Sequence, residues 1–117
     1  MDFFHSRISS KAIKLVTQVL QSTFISEGKK VEYFEKELFL KLGFVNPVAL
    51  NSGTAALHLA LVVAGIKPGD EVILPAQTFV ATGTAVLQQL AVPVFADIEN
   101  GTGNINVDSI KEKMFNL

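Results

Sequence analysis

Three short, continuous apolar runs, each followed by a stretch of helical periodicity, constrain this chain more than any other feature of its sequence. They are Val48-Ala49-Leu50, Glu71-Val72-Ile73-Leu74 and Pro93-Val94-Phe95-Ala96. Runs without polar alternation suit strands that are covered on both faces, and strands separated by helices pair in parallel through right-handed crossovers. The expected fold class is therefore α/β, a parallel sheet flanked by helices over residues 47–117, preceded by a helical segment over residues 1–46. A helix after the third run would have to cross back to a fourth strand, yet the sequence stops at Leu117. Three strands are few for such a sheet. The expectation is the N-terminal piece of a larger protein.

The helices announce themselves by spacing. Ile13, Val16 and Leu20 mark one face of a helix from Ser9 to Leu20, capped by Ser9 or Ser10. A loop over Thr23–Lys29 leads to a helix from about Lys30 to Leu42, with Val31, Phe34, Leu38 and Leu42 as its buried stripe. Gly43 stands where a left-handed C-cap belongs. Leu57, Ala60, Leu61 and Ala64 mark the next helix, closed by Gly65 and the turn Lys67-Pro68-Gly69-Asp70. Another starts near Thr78 and carries Phe79, Gly83, Val86, Leu87 and Leu90. The last, capped by Asn106 or Asp108, carries Val107, Ile110 and Met114.

Between the first run and its helix lies Asn51-Ser52-Gly53-Thr54-Ala55-Ala56-Leu57. Ser52 or Thr54 can cap the helix, and Gly53 lets a ligand approach the backbone closely. The free amides of a helix start and the positive end of its dipole make an anion site, best suited to a phosphate group. The same pattern also serves an ordinary capped helix after a strand. In open parallel sheets ligands bind beyond the carboxyl ends of the strands, which gathers the turns after Leu50, Leu74 and Ala96 in one place.

Composition narrows the function classes. Ten Lys plus Arg face eleven Asp plus Glu, for a net charge of −1, and they are scattered, so no basic surface for nucleic acid is expected. There is no cysteine, which removes disulfides, thiol nucleophiles and cysteine-based metal sites. The opening Met1-Asp2-Phe3-Phe4-His5 lacks the pattern of a signal peptide, and the longest nearly apolar run, Leu57 to Ile66, is too short to span a bilayer. A cytoplasmic, soluble protein with no membrane partner is expected.

Three words of the sequence carry a resemblance. Residues 51–61 (Asn-Ser-Gly-Thr-Ala-Ala-Leu-His-Leu-Ala-Leu), 69–82 (Gly-Asp-Glu-Val-Ile-Leu-Pro-Ala-Gln-Thr-Phe-Val-Ala-Thr) and 93–98 (Pro-Val-Phe-Ala-Asp-Ile) resemble, in order and spacing, the DegT/DnrJ/EryC1/StrS sugar aminotransferases. The similarity runs from about Ser9 to the end. It implies the N-terminal part of the large domain of an aspartate-aminotransferase-like, fold type I enzyme with pyridoxal 5′-phosphate as cofactor. It implies that Gly53, Thr54 and Ala55 hold the cofactor phosphate, largely through backbone amides, and that Phe79 stacks on the pyridine ring. Spacing alone would make Phe79 a core residue. The resemblance further implies a homodimer that moves an amino group, from glutamate, onto a nucleotide-linked keto-sugar for polysaccharide, lipopolysaccharide or glycoconjugate synthesis. His5, Arg7, Ser26, Glu27 and Lys29 lie in segments that approach the substrate or the partner subunit in such enzymes, with Ser26 and Lys29 as the substrate-binding candidates.

Other polar residues read as structural. His58 is expected to pack or to face a partner, Asp70 and Glu71 to be turn and solvent residues, and Asp97 to make a structural hydrogen bond. No catalytic residue is expected among these 117 residues. The family's Schiff-base lysine and the aspartate at the pyridine nitrogen fall beyond Leu117, and none of the nine lysines here follows an apolar strand. The chain alone is therefore expected to be inactive. Two other readings compete: a regulatory relative of the family without the lysine, and an unrelated α/β module binding a phosphorylated metabolite. The absence of Gly-x-Gly-x-x-Gly and Gly-Lys-Ser/Thr patterns counts against the usual nucleotide-binding versions of the latter.

Overall fold

A computed structural model describes residues 5–115, so the opening Met1–Phe4 lies outside the described residues. The chain divides into two compact units, Met1–Ala49 and Leu50–Leu117.

The first unit is built from two helices, α1 (Ser10–Gln21) and α2 (Lys29–Leu42). Ser9, not Ser10, caps α1, its Oγ accepting the Ala12 N–H at 3.1 Å. The Gly28 carbonyl accepts the Val31 and Glu32 amides at 2.8 and 3.3 Å to start α2, and Gly43 ends it at φ +71°, in the left-handed region expected of it. A Glu37–Lys41 ion pair braces the last turns of α2. Its hydrogen bond holds the Glu37 carboxyl below the usual range and the Lys41 ammonium above it.

Two expectations fail in this unit. Phe34 and Leu42 are 53% and 62% exposed, so the stripe of α2 is not buried as a whole; Val31 and Leu38 are only half-buried. The face of α1 that carries Ile13, Val16 and Leu20 is exposed as well. Two helices and a loop offer no third layer to cover these faces. The run Val48-Ala49-Leu50 forms no strand. The Ala49 amide, which a ladder would have used, donates instead to Glu35 Oε1 at 2.8 Å.

The second unit contains α3 (Gly53–Val63), β1 (Glu71–Pro75), α4 (Ala81–Gln88), β2 (Val92–Ala96) and α5 (Val107–Phe115). Its strands pair in parallel, from Glu71 opposite Val92 to Pro75 opposite Ala96, so the sheet has two strands where three were expected. The Val92 amide donates to the Asp70 carbonyl and the Ala76 amide to the Ala96 carbonyl, each at 2.8 Å. Backbone groups alternate in direction along a strand. Pro75 and Pro93 therefore both occupy positions whose missing N–H would point away from the partner strand.

Helices α3 and α4 end in the same way. Past α3, Ile66 N–H donates to Leu61 C=O and Gly65 N–H to Val62 C=O; past α4, Ala91 N–H donates to Val86 C=O and Leu90 N–H to Leu87 C=O. These are the paired bonds of a Schellman motif, which needs a left-handed residue at its centre and sets a hydrophobic contact across the reversal. Gly65 supplies that conformation at φ +82° and, less comfortably, Leu90 at φ +57°. The contacts across both reversals belong to one cluster. Leu74, Val86 and Ala91 are buried together, with Leu61, Ile66 and Val72 packed against them.

The connections follow from local chemistry. Pro68 and Gly69 (φ +88°) form the expected turn, with the Asp70 N–H on the Lys67 carbonyl at 3.1 Å and the Lys67 N–H on Asp70 Oδ2 at 2.8 Å. Asn106, not Asp108, caps α5: its Oδ1 accepts the Asp108 and Ser109 amides at 2.9 and 3.0 Å. Helix α4 starts at Ala81, three residues later than expected, because Thr78 does not cap an amide. Its hydroxyl meets that of Thr82 instead, at 3.0 Å. His58 pairs through Nε2 with Gln89 Oε1 at 3.0 Å, and Gln89 Nε2 donates to the Ile66 carbonyl at 2.6 Å. His58 is thus a half-buried structural residue, as read.

Replacing Leu90 by Gly relieves a left-handed residue that is 71% exposed, and stability is expected to rise by between 0 and about 1 kcal/mol. Gly65→Leu, at the equivalent place, is expected to cost about 1–2 kcal/mol. Thermal midpoints of the two variants check both; a fall for Leu90→Gly contradicts the account. Gln89→Ala strands His58 and the Ile66 carbonyl and is expected to cost about 1–3 kcal/mol, read from urea unfolding.

Candidate functional site

The candidate site begins with the N-terminus of α3. Ser52, in extended conformation, caps the helix: its Oγ accepts the Ala55 N–H and its carbonyl the Ala56 N–H, both at 3.1 Å. Of the first amides, those of Gly53 and Thr54 have no hydrogen-bond partner among the described residues. No acidic or basic side chain stands in the first turn, so nothing local offsets the positive end of the dipole.

Gly53 is not required by the fold. Its φ is not in the left-handed region, and a Cβ built on it meets nothing within 4 Å. A side chain could be placed there without disturbing this chain. Without a side chain at 53, the space beside the two free amides stays open.

Phe79 lies in the loop between β1 and α4 and is 77% exposed. It is no core residue. The loop is fixed on either side of it: the Phe79 carbonyl accepts the Thr82 N–H at 3.0 Å, and the hydroxyls of Thr78 and Thr82 pair at 3.0 Å.

Packing brings the two pieces to the same end of the unit. Leu57, one turn into α3, Pro75 at the end of β1 and Thr82 in the first turn of α4 line one apolar cleft of about 220 Å³. Further along, Gln89, just past α4, bonds to His58 at the middle of α3 and to Ile66 beyond its end. The helices therefore run side by side in the same sense. The start of α3 and the Phe79 loop lie together at the carboxyl end of β1, where ligands of open parallel sheets bind. Asp97, at the carboxyl end of β2, is bonded through its backbone, its N–H to Ser109 Oγ at 3.0 Å and its carbonyl to the Asn106 N–H at 2.8 Å.

Ser26 and Lys29 belong to the first unit. There they line a concavity of about 700 Å³ between the end of α1 and the start of α2, with Phe24, Ile25 and Glu27. None of the nine lysines is buried; Lys113 is half-buried and the others are exposed. Among the described residues no group of three or more His, Asp and Glu side chains is arranged to hold a metal ion. The residues that sequence reasoning passed over are Thr82 and Gln89. The one available signal was the Thr78–Thr82 spacing of four, which places two hydroxyls on one helical face.

Comparison with known proteins gives the chain its family. Residues 6–115 match the DegT/DnrJ/EryC1/StrS aminotransferase family. The spore coat polysaccharide biosynthesis protein SpsC of Bacillus subtilis is 46% identical over 104 residues, which cover 89% of this chain and 26% of that protein. GDP-perosamine synthase of Escherichia coli O157:H7 is 34% identical over 114 residues, 97% of this chain and 31% of that one. In structure the chain resembles Spr1654 of Streptococcus pneumoniae, assigned as a sugar aminotransferase and solved in its PLP form. The TM-score is 0.87 at 36% identity, covering 96% of this chain and 29% of Spr1654. The chain thus spans between a quarter and a third of the length of these relatives. The helix-flanked parallel sheet is the start of the fold type I architecture of these enzymes. With the family matched along nearly the whole chain, this protein belongs to the DegT/DnrJ/EryC1/StrS aminotransferases.

Proposed function

We propose that these residues form the phosphate cradle and ring face of a pyridoxal-phosphate-dependent sugar aminotransferase. The observation that carries this reading is the pair of amides at Gly53 and Thr54 that are free among the described residues, at an uncharged helix start on the same end of the unit as the exposed Phe79. A phosphate dianion suits that helix end. The donor set narrows from the three residues read in the sequence, because the Ala55 amide is already held by Ser52. Thr54 adds a hydroxyl next to its amide. An exposed aromatic on a short, braced loop offers a flat apolar face on which a heteroaromatic ring can stack and from which water is excluded.

When bound, pyridoxal phosphate supplies the electron sink that makes amino-group transfer possible. These residues bind and orient it. In this reading, as the resemblance implies, the lysine and the acidic residue that the family's chemistry calls for lie outside these 117 residues. In the same reading the 117 residues by themselves bind the cofactor without turnover. Ser26 and Lys29 offer a hydroxyl and an ammonium beside an apolar wall, a set that suits the hydroxyls and phosphates of a nucleotide-linked sugar. The whole protein, in this reading, is a cytoplasmic homodimer that transfers the amino group of glutamate to a nucleotide-linked keto-sugar. The exposed apolar faces of α1 and α2 support burial against further protein.

Two substitutions separate binding from folding. Gly53→Ala should leave the thermal midpoint unchanged or slightly raised, while weakening both pyridoxamine phosphate and inorganic phosphate by about tenfold or more. Phe79→Ala should weaken pyridoxamine phosphate by a similar factor and leave inorganic phosphate within about twofold. Equal loss of both ligands in Phe79→Ala would remove the stacking role, and unaltered affinity in Gly53→Ala would remove the cradle. The class of reaction is tested in the full-length protein. Glutamate and a nucleotide-linked keto-sugar should yield the amino-sugar nucleotide by mass spectrometry, and a protein loaded with cofactor that makes no such product is not this aminotransferase.

A further inference from the structure

We infer that Thr82 is a positioning residue for the cofactor ring, acting through Thr78 to fix the loop that carries Phe79; this rests on the reading of Phe79 given above. The Phe79 ring is 77% exposed, so packing against the core does not set its direction. Only its backbone can, and two of the bonds that hold that backbone come from Thr82. One is the hydrogen bond from the Thr82 amide to the Phe79 carbonyl, which any residue at 82 would make. The other is the hydroxyl pair of Thr78 and Thr82, 3.0 Å apart, which only a hydroxyl at 82 can make. Beyond Phe79 the Val80 carbonyl accepts the Thr84 hydroxyl at 3.0 Å, so the Thr78–Thr82 pair is the side-chain bond that holds the loop on the side preceding Phe79.

Thr82 is also placed to relate the loop to the anion site. It is half-buried and lines the cleft that it shares with Leu57 and Pro75. Leu57 lies one helical turn beyond Gly53, so the residue that braces Phe79 sits in the same cleft as the helix presenting the free amides. A β-branched side chain in a helix has few rotamers, which suits a fixed brace. Valine at this position would keep the shape of the side chain and its cleft contacts while losing the hydroxyl. Serine would keep the hydroxyl and lose a methyl.

The test is a double-mutant cycle on ligand affinity. The protein is titrated with pyridoxamine phosphate, which lacks the aldehyde that would modify surface lysines. Its own fluorescence is read without interference from tryptophan, of which the chain has none. Thr82→Val is expected to weaken binding about three- to tenfold, Thr82→Ser to restore it to within about twofold, and Thr82→Val added to Phe79→Ala to cost less than about twofold more. Inorganic phosphate affinity and the thermal midpoint are expected to stay near those of the unaltered protein. If Phe79→Ala weakens binding but Thr82→Val does not, or costs the same with and without Phe79, the inference is overturned and the stacking role stands. If Phe79→Ala has no effect, or the unaltered protein shows no saturable binding, the cofactor reading fails and this inference fails with it.

Discussion

The second unit depends on a reversal made twice. At the end of α3 and again at the end of α4, an amide reaches back to the carbonyl five residues earlier, from Ile66 to Leu61 and from Ala91 to Val86. Each bond folds the chain back on itself and presses an apolar side chain onto the last turn of its own helix. Because both contacts fall on the same side of β1, they merge into the cluster around Leu74. A two-stranded parallel sheet has little of its own to hold it, since parallel pairing is slightly weaker per residue and rarely stands uncovered. The reversals stabilise it by delivering Val72 and Val92 to neighbouring strands with their connections already closed.

The candidate site is a consequence of the same arrangement. Two helices that run in the same sense, joined by Gln89 beyond their starts, must present those starts together at one end. One start offers two unpaired amides and the other an unpacked aromatic ring. Neither feature contributes to folding as the chain stands. Each leaves a polar or apolar group short of a partner, which is the condition under which a ligand carrying a phosphate and a flat ring gains most from binding.

Much of this was legible in the sequence because the signals were local. The Ser9, Ser52 and Asn106 caps, the glycines at 43 and 65 and the Pro68-Gly69 turn follow from residue chemistry within a few positions. What failed depended on distant partners. Val48–Leu50 has a strand's composition, but a strand exists only by pairing, and Glu35 claims the Ala49 amide. The stripe of α2 has the right spacing for burial, yet periodicity states which face is apolar and not what will cover it. The late start of α4 turned on a hydroxyl–hydroxyl bond, a choice between equivalent partners that spacing does not decide. The site residues lay in the words that matched the family, while their geometry, and above all the engagement of Ala55 by Ser52, did not show until the backbone was in place.

The two prolines of the sheet bear on how this unit behaves in company. Each strand has its inner edge paired with the other, and among the described residues neither has a neighbour on its outer edge. An open strand edge is a template on which a second copy can grow. Pro75 and Pro93 each remove a donor from one of those outer edges, one on β1 and one on β2. A strand arriving on either side would leave a carbonyl unanswered there. The prolines thus leave each outer edge of the pair one donor short, whichever strand of the protein comes to lie there.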